Sequence, residues 1–331
     1  MCAPGSIQGR NTALNNGSRQ PSAVRHQPSP ILARLTADGF LSDGSSMALP
    51  EFPDIPSLRS WIARERGAGK RIGLVPTMGA LHEGHLSLVD HARRRAQRVV
   101  MSIFVNPLQF GPKEDFSRYP RALDRDRVLA EGRGVHALFV PTVETMYPTG
   151  AETRVVPGSS AERWEGEMRP GHFAGVLTVV AKLFHIVQPD VAVFGQKDIQ
   201  QSVLIRQMAR DLDWPLELIV APTVREVDGL ALSSRNAYLD PAQRREALTL
   251  SQALRAAERA WQAGEDDAAR LEAAMREVFR LHPSVSVDYI AIVDERLAPT
   301  AHASAGTVIA VAARVGTTRL LDNLILGVEF S

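Results

Sequence analysis

Ile72-Gly73-Leu74-Val75-Pro76-Thr77-Met78-Gly79-Ala80-Leu81-His82-Glu83-Gly84-His85 is the stretch on which the reading of the fold turns. Ile72 to Val75 is short and apolar enough for a buried parallel strand, and Met78-Gly79 is a turn signal. From Leu81 to Arg95, apolar Leu86, Leu88 and Val89 fit a helix that faces the sheet. A strand, a glycine turn and a helix N-terminus in that order are where an α/β protein holds a triphosphate, because unpaired N–H groups and the positive end of the helix dipole gather there. His82 and His85 are expected on one face of the first turn, as imidazole donors in a cationic pocket. The pair remains open to other readings, as imidazoles with no role or as zinc ligands. A zincin needs His-Glu-x-x-His, and His82-Glu83-Gly84-His85 has the wrong spacing. The Gly-x-Gly-x-x-Gly of a dinucleotide loop is also missing.

At 331 residues the chain is longer than one typical domain and suggests two. Hydrophobic residues at 44% and charged residues at 23% supply a globular core. A net charge of +1 gives no electrostatic case for nucleic acid or an anionic membrane, so any anion must be bound locally. The only cysteine is Cys2, which excludes an intrachain disulfide and a cysteine-based metal site and is compatible with a reducing cytoplasm. No apolar stretch approaches the ~18 residues of a membrane span. Residues 1 to 46, rich in Ser, Asn, Pro, Gly and Gln, have no sustained apolar period and are expected to be disordered. Their Arg and Ser content faintly resembles a transit peptide, but a dispensable extension is the expectation, since Met47 precedes the first segment that looks folded. A chain begun at Met47 is expected to keep full activity, which an assay of that truncation checks.

Outward from the opening stretch, apolar strands alternate with amphipathic helices. A helix at 55–66 precedes a strand at 71–75; a strand at 99–105, a helix at about 123–132 and a strand at 135–140 follow the His helix. After an irregular segment come a helix at 175–187, a strand at 191–194, a helix at 199–211 and a strand at 216–220. This is the signature of a doubly wound, Rossmann-like parallel sheet, which binds ligands at the carboxyl ends of its strands. Three polar clusters fall at those ends: Thr77-Met78-Gly79, Asn106-Pro107-Leu108-Gln109-Phe110 and Gly195-Gln196-Lys197-Asp198. Past Val224 the pattern changes to helices at 241–263 and 267–281 and strands at 287–293, 308–312 and 318–321, a smaller α+β domain suited to a lid. The expected organisation is therefore an extension at 1–46, a nucleotide-binding domain at 47–223 and a C-terminal domain at 224–331.

Lys197 can reach the crevice as a compact charge for phosphate oxygens. Asp198 can hold a ribose hydroxyl or cap the following helix. Arg235 with Ser233 and Ser234 can clamp a pyrophosphate. Asn106, Gln109 and Gln201 are uncharged amides at the same edge, suited to a small hydroxy acid beside a triphosphate. No Ser-His-Asp set or reactive Cys accompanies them. These groups fit adenylation of a carboxylate, where catalysis rests on in-line positioning and on neutralising charge at the α phosphate and the departing pyrophosphate. A nucleotidylyltransferase and a catalytically silent nucleotide-binding regulator are the competing readings.

His-Glu-Gly-His is similar to the His-x-Gly-His signature of nucleotidylyltransferases and class I synthetases. With longer segments in view the chain resembles the pantothenate synthetase (pantoate-β-alanine ligase) family. The resemblance is carried by Pro76 to His85, Phe104 to Phe110, Arg169-Pro170-Gly171-His172-Phe173-Ala174-Gly175-Val176, Phe194 to Asp198, Leu232-Ser233-Ser234-Arg235-Asn236 and Thr317 to Asn323, in the family's order from about Met47 onward. It implies ATP-dependent condensation of (R)-pantoate with β-alanine through a pantoyl adenylate, giving pantothenate, AMP and diphosphate. It further implies that Met78 to His85 line the ATP site with His85 as proton donor, and that Gly195 to Asp198, Val224 and Leu232 to Arg235 complete it. His82, Lys197, Ser233 and Arg235 join His85 as the expected catalytic set. Gln109 and Gln201 would bind pantoate, with Gln109 also close to β-alanine. Mg²⁺ is expected on the phosphate oxygens of ATP with no protein metal site, as is a cytoplasmic homodimer. Family members usually carry Glu where this chain has Gln196, which leaves Lys197 less neutralised.

Overall fold

The computed structural model of the chain describes residues 48–112 and 114–330. The extension at 1–46 and the start at Met47 therefore lie outside the described residues. Six strands, β1 (Glu51–Phe52), β2 (Ile72–Thr77), β3 (Arg98–Ile103), β4 (Ala137–Phe139), β5 (Val191–Gly195) and β6 (Glu217–Ala221), form one sheet in the order β1-β4-β3-β2-β5-β6. Every neighbouring pair is parallel. Ile72, Leu74 and Val75 of β2 and Val99 to Met101 of β3 have no exposed surface, as strands covered on both faces should. The expected doubly wound parallel sheet is thus the observed fold.

Helices fill the crossovers: α1 (Ile55–Gly67), α2 (Glu83–Arg93), α3 (Leu123–Gly132), α6 (His172–Val187) and α7 (Ile199–Asp211), with single turns α4 (Val143–Met146) and α5 (Glu165–Met168) between β4 and α6. One apolar cluster joins the sheet to α1, α6 and α7, and a second joins its other face to α2 and α3. From β2 the chain winds outward through β3 and β4, then returns to build β5 and β6 on the opposite side. The winding direction reverses between β2 and β5, and at such a switch point the crossover loops part to leave a crevice beyond the strands' carboxyl ends. Thr77 and Gly195 are the last residues of those two strands.

The remainder consists of α8 (Pro241–Gln262), α9 (Ala268–Arg280) and an antiparallel sheet of β7 (Val285–Val293), β8 (Val308–Val315) and β9 (Thr318–Ile325). Asp240 caps α8 with a reciprocal Gln243 contact and Pro241 at the first position, a combination that satisfies orphan donors and presets the helix. β8 and β9 run longer than expected because a two-residue turn, Gly316 at φ +59 and Thr317, lets pairing continue from Val315↔Thr318 to Val308↔Ile325. β1 was not legible, since two residues carry no period; it is defined by its pairing with β4. Among the described residues no helix is long and apolar enough to cross a membrane.

Candidate active site

The turn after β2 departs from the helix expected at Leu81. Gly79 (φ +82) and Ala80 (φ +51) turn the chain left-handed, Leu81 is buried, and α2 begins at Glu83 with His82 as its N-cap. Asp126 on α3 holds this turn, accepting from Ala80 N at 2.8 Å and Leu81 N at 2.7 Å, with only 1% of its surface exposed. Nothing local in the sequence marked Asp126, which lies 45 residues from Leu81.

His82 Nδ1 accepts from Gly84 N at 3.1 Å. In the neutral ring the proton is then on Nε2, as a donor. The His82 and His85 rings lie 4.1 Å apart between centroids, and His85 Nδ1 is buried without a hydrogen-bond partner among the described residues. Burial, then the Lys197 charge, pushes the His82 pKa down to about 4, and burial, then His82, pushes that of His85 down to about 3. Both imidazoles are therefore neutral at pH 7, which corrects the expected cationic pocket: the cations are Lys197 and Arg235. The unfolded histidines bind protons near pH 6.5 and the folded ones only near 4 and 3. Between those values the unfolded chain holds more protons, so stability falls as pH drops through that window. Thermal melts at about pH 7 and about pH 5 check this, and a His82→Gln, His85→Gln double variant should show a shallower slope. An unchanged slope in that variant would contradict it.

One cavity at the switch point, of about 210 Å³, gathers Met78, His82, Gly84, His85, Asn106, Gln109, Gly195, Lys197, Asp198, Gln201, Val224, Leu232, Ser233, Ser234 and Arg235. Segments more than 150 residues apart in sequence are so brought together. It shares Lys197, Asp198, Gln201 and Arg235 with a larger neighbour of about 950 Å³ that reaches β7, β8 and β9. Gly79, Ala80, Leu81, Glu83 and Gln196 do not line the smaller cavity. Glu83 is exposed and pairs with Arg133 at 2.5 Å. Gln196 turns to β9, donating to Asn323 Oδ1 at 3.2 Å, while Asn323 Nδ2 donates to the Gln196 and Lys197 carbonyls at 2.9 Å.

Each cation has a carboxylate beside it. Lys197 Nζ is 3.8 Å from Asp198 Oδ1, and Arg235 Nη2 is 3.6 Å from Asp115 Oδ1. Desolvation in the crevice raises the Asp198 pKa, but the surrounding positive charge, that of Lys197 and Arg235 foremost, outweighs it and holds the carboxyl below its ordinary range. Ser233 Oγ accepts from Arg235 N at 3.3 Å, fixing the Ser-Ser-Arg turn. Asn106 is buried and fully engaged: Nδ2 donates to Gln109 Oε1 at 3.0 Å and Gly175 O at 3.1 Å, while Oδ1 accepts from Leu108 N and Tyr147 Oη. Among the described residues, Gln109 Nε2 meets only Met78 Sδ, at 3.3 Å. Sequence reasoning also missed the apolar wall of Val176, Val179, Val180 and Leu183 on α6, and Tyr119 beside Ser234. The α6 residues looked like ordinary core, because they sit at helical spacing within a mostly apolar run.

A parallel doubly wound sheet, a His-x-Gly-His turn at its switch point, and Lys and Ser-Ser-Arg segments across the crevice have the arrangement of an α/β nucleotide-binding protein. The family model of pantoate-beta-alanine ligases matches residues 51–325. The pantothenate synthetase of Moorella thermoacetica is 54% identical over 276 residues, 83% of this chain and 98% of that protein. The crystal structure of the Thermus thermophilus pantothenate synthetase is 50% identical, superposes with a TM-score of 0.80, and covers 83% of this chain and 99% of that one. The Francisella tularensis pantoate-beta-alanine ligase, crystallised with beta-gamma ATP and beta-alanine, is 33% identical with a TM-score of 0.70, covering 86% and 100%. The chain belongs to the pantoate-β-alanine ligase family, and it is an ATP-dependent ligase.

Proposed function

We propose that the crevice between β2 and β5 condenses pantoate with β-alanine in two steps, with ATP bound along the His turn, Lys197 and the Ser-Ser-Arg loop. A pantoate carboxylate oxygen bonds to the α phosphorus as the bond to the β-bridging oxygen breaks, releasing diphosphate. The β-alanine amine nitrogen then bonds to the acyl carbon of pantoyl adenylate as AMP leaves, and the amine loses a proton. What carries this reading is the convergence of His82, His85, Lys197, Ser233 and Arg235 with Gln109 and Gln201 on one cavity.

His82 Nε2–H, the α2 N-terminus and Lys197 face the charge that develops on the phosphates, where fixed donors act most strongly. His85 starts neutral; a bound triphosphate raises its proton affinity, which suits it to protonate the departing diphosphate. Gln109 and Gln201 take the hydroxyl and carboxylate oxygens of pantoate, and the valine wall takes its two methyl groups. Asn106 serves by orienting Gln109. Residues 224–331, joined to the sheet domain by the Asn323 Nδ2 bonds to the Gln196 and Lys197 carbonyls at 2.9 Å, act as the lid. Mg²⁺ would accompany ATP on its phosphate oxygens, where it would help neutralise charge. The enzyme works as a homodimer in the cytoplasm, and light scattering at twice the chain mass is the expected result.

Asp115 occupies Arg235 where a phosphate would bind. Asp115→Ala should therefore lower the KM for ATP a few-fold, the scale of a partly exposed ion pair; an unchanged or higher KM would contradict this.

Mixing enzyme with ATP and pantoate alone tests the two-step course. Enzyme-bound pantoyl adenylate should form and should discharge to pantothenate when β-alanine is added. A stable adenylated product released without need for β-alanine would favour a nucleotidylyltransferase instead, and ATP binding without turnover would favour a silent regulator.

A further inference from the structure

Gln109 reads pantoate in the proposed function, yet its backbone is held from outside the cavity, by the first turn of α6. His172 Nδ1 lies 2.8 Å from Gln109 O, and His172 Nε2 lies 3.1 Å from Arg169 Nη1. A guanidinium has only donors, so Nε2 must offer its lone pair and the proton must sit on Nδ1, aimed at the carbonyl. The imidazolium and the other neutral tautomer both set N–H against N–H at Nε2. Arg169 is itself fixed: Nε and Nη2 each lie 2.7 Å from the Glu114 carboxylate, and Nη2 lies 3.3 Å from Gln109 O. A chain of three side chains thus ends on one carbonyl oxygen.

The same turn is also seated on bare backbone. A Cβ at Gly175 would lie 2.1 Å from Leu108 O and 2.7 Å from Gln109 N, so the 107–109 turn rests directly on α6. Beyond that seat, the Gln109 side chain is oriented by Asn106 and by a thioether, and a thioether is a weak acceptor. The position of the Gln109 amide therefore follows its backbone, and the backbone follows His172.

We infer that His172 is a positioning residue for pantoate binding: as the Nδ1–H tautomer it holds the Gln109 carbonyl and so sets where the Gln109 amide meets the substrate. This rests on the reading of Gln109 as a pantoate residue. The test compares His172→Gln, His172→Phe, His172→Asn and Gln109→Ala in pantoate-dependent exchange of labelled diphosphate into ATP, with thermal melts alongside. His172→Gln and His172→Phe, which lack a donor at the Nδ1 position, should raise the KM for pantoate about tenfold and move the KM for ATP less than about twofold. His172→Asn, whose amide N–H can replace Nδ1–H, should recover most of that loss; should either of the first two fail to fold, the other supplies the comparison. A purely structural residue would lower the melting temperature of all three alike and leave pantoate KM in place. The inference is overturned if Asn rescues nothing relative to Phe, or if Gln109→Ala raises pantoate KM while no His172 variant does. Should Gln109→Ala itself leave pantoate KM unchanged, the substrate reading of Gln109 falls and the inference with it, a result distinct from failure at His172 alone.

Discussion

Replacing Lys197 with Ala is expected to lower pantoate-dependent adenylation by about 10³-fold, or about 4 kcal/mol of transition-state stabilisation. The ammonium stands at the carboxyl end of β5, only 21% exposed, with the Asp198 carboxylate 3.8 Å away as its ion-pair partner. At that separation Asp198 compensates it loosely, so much of its field is available to a phosphate in a partly dry crevice. The charge matters most when negative charge moves toward the departing diphosphate, so the loss should appear chiefly in kcat. Lys197→Arg should rescue little, because a planar fork cannot occupy the place of a point charge without moving its neighbours. The melting temperature should stay near that of the unmodified protein, since the ion pair lost is weak. Exchange within tenfold of the unmodified rate would refute the role.

Asp126→Ala is expected to be the most destabilising single change near the site, costing about 3 to 5 kcal/mol. The carboxylate is buried and accepts from two backbone N–H groups, Ala80 and Leu81, at 2.8 and 2.7 Å. Without it both donors are left unpaired in a dry place, and Ala80 is held at φ +51 with nothing to oppose relaxation. Released, the turn would no longer set His82 as the cap of α2. A fall in melting temperature of about 10 °C and a raised KM for ATP are therefore expected together. Asp126→Asn, which keeps one acceptor oxygen without the charge, should fall between. A variant that melts within about 2 °C of the parent with an unchanged KM would contradict the account.

The parallel sheet and the strand-end clusters were legible because both leave local marks. Buried parallel strands read as short Val and Ile runs, and Gly79, Gln109 and Lys197 each lie within six residues of the end of such a strand. What could not be read were contacts made across the fold. Asp126 meets Ala80 from another helix, Asp115 meets Arg235 across the crevice, and Gln196 turns toward Asn323. The protonation state of the histidines was hidden for a related reason. Spacing placed His82 and His85 on one turn, but neutrality comes from the burial around them and from Lys197, 112 residues on from His85. His172 was quoted within a recognisable segment without a role, because its tautomer depends on Arg169 and the Gln109 carbonyl together.

Pantoate-dependent exchange of labelled diphosphate into ATP, measured without β-alanine, tests the central claim most directly. The site proposed between β2 and β5 forms pantoyl adenylate reversibly, so label should enter ATP only when pantoate is present, and Lys197→Ala should abolish nearly all of it. No exchange with pantoate or any other small hydroxy acid would contradict the assignment.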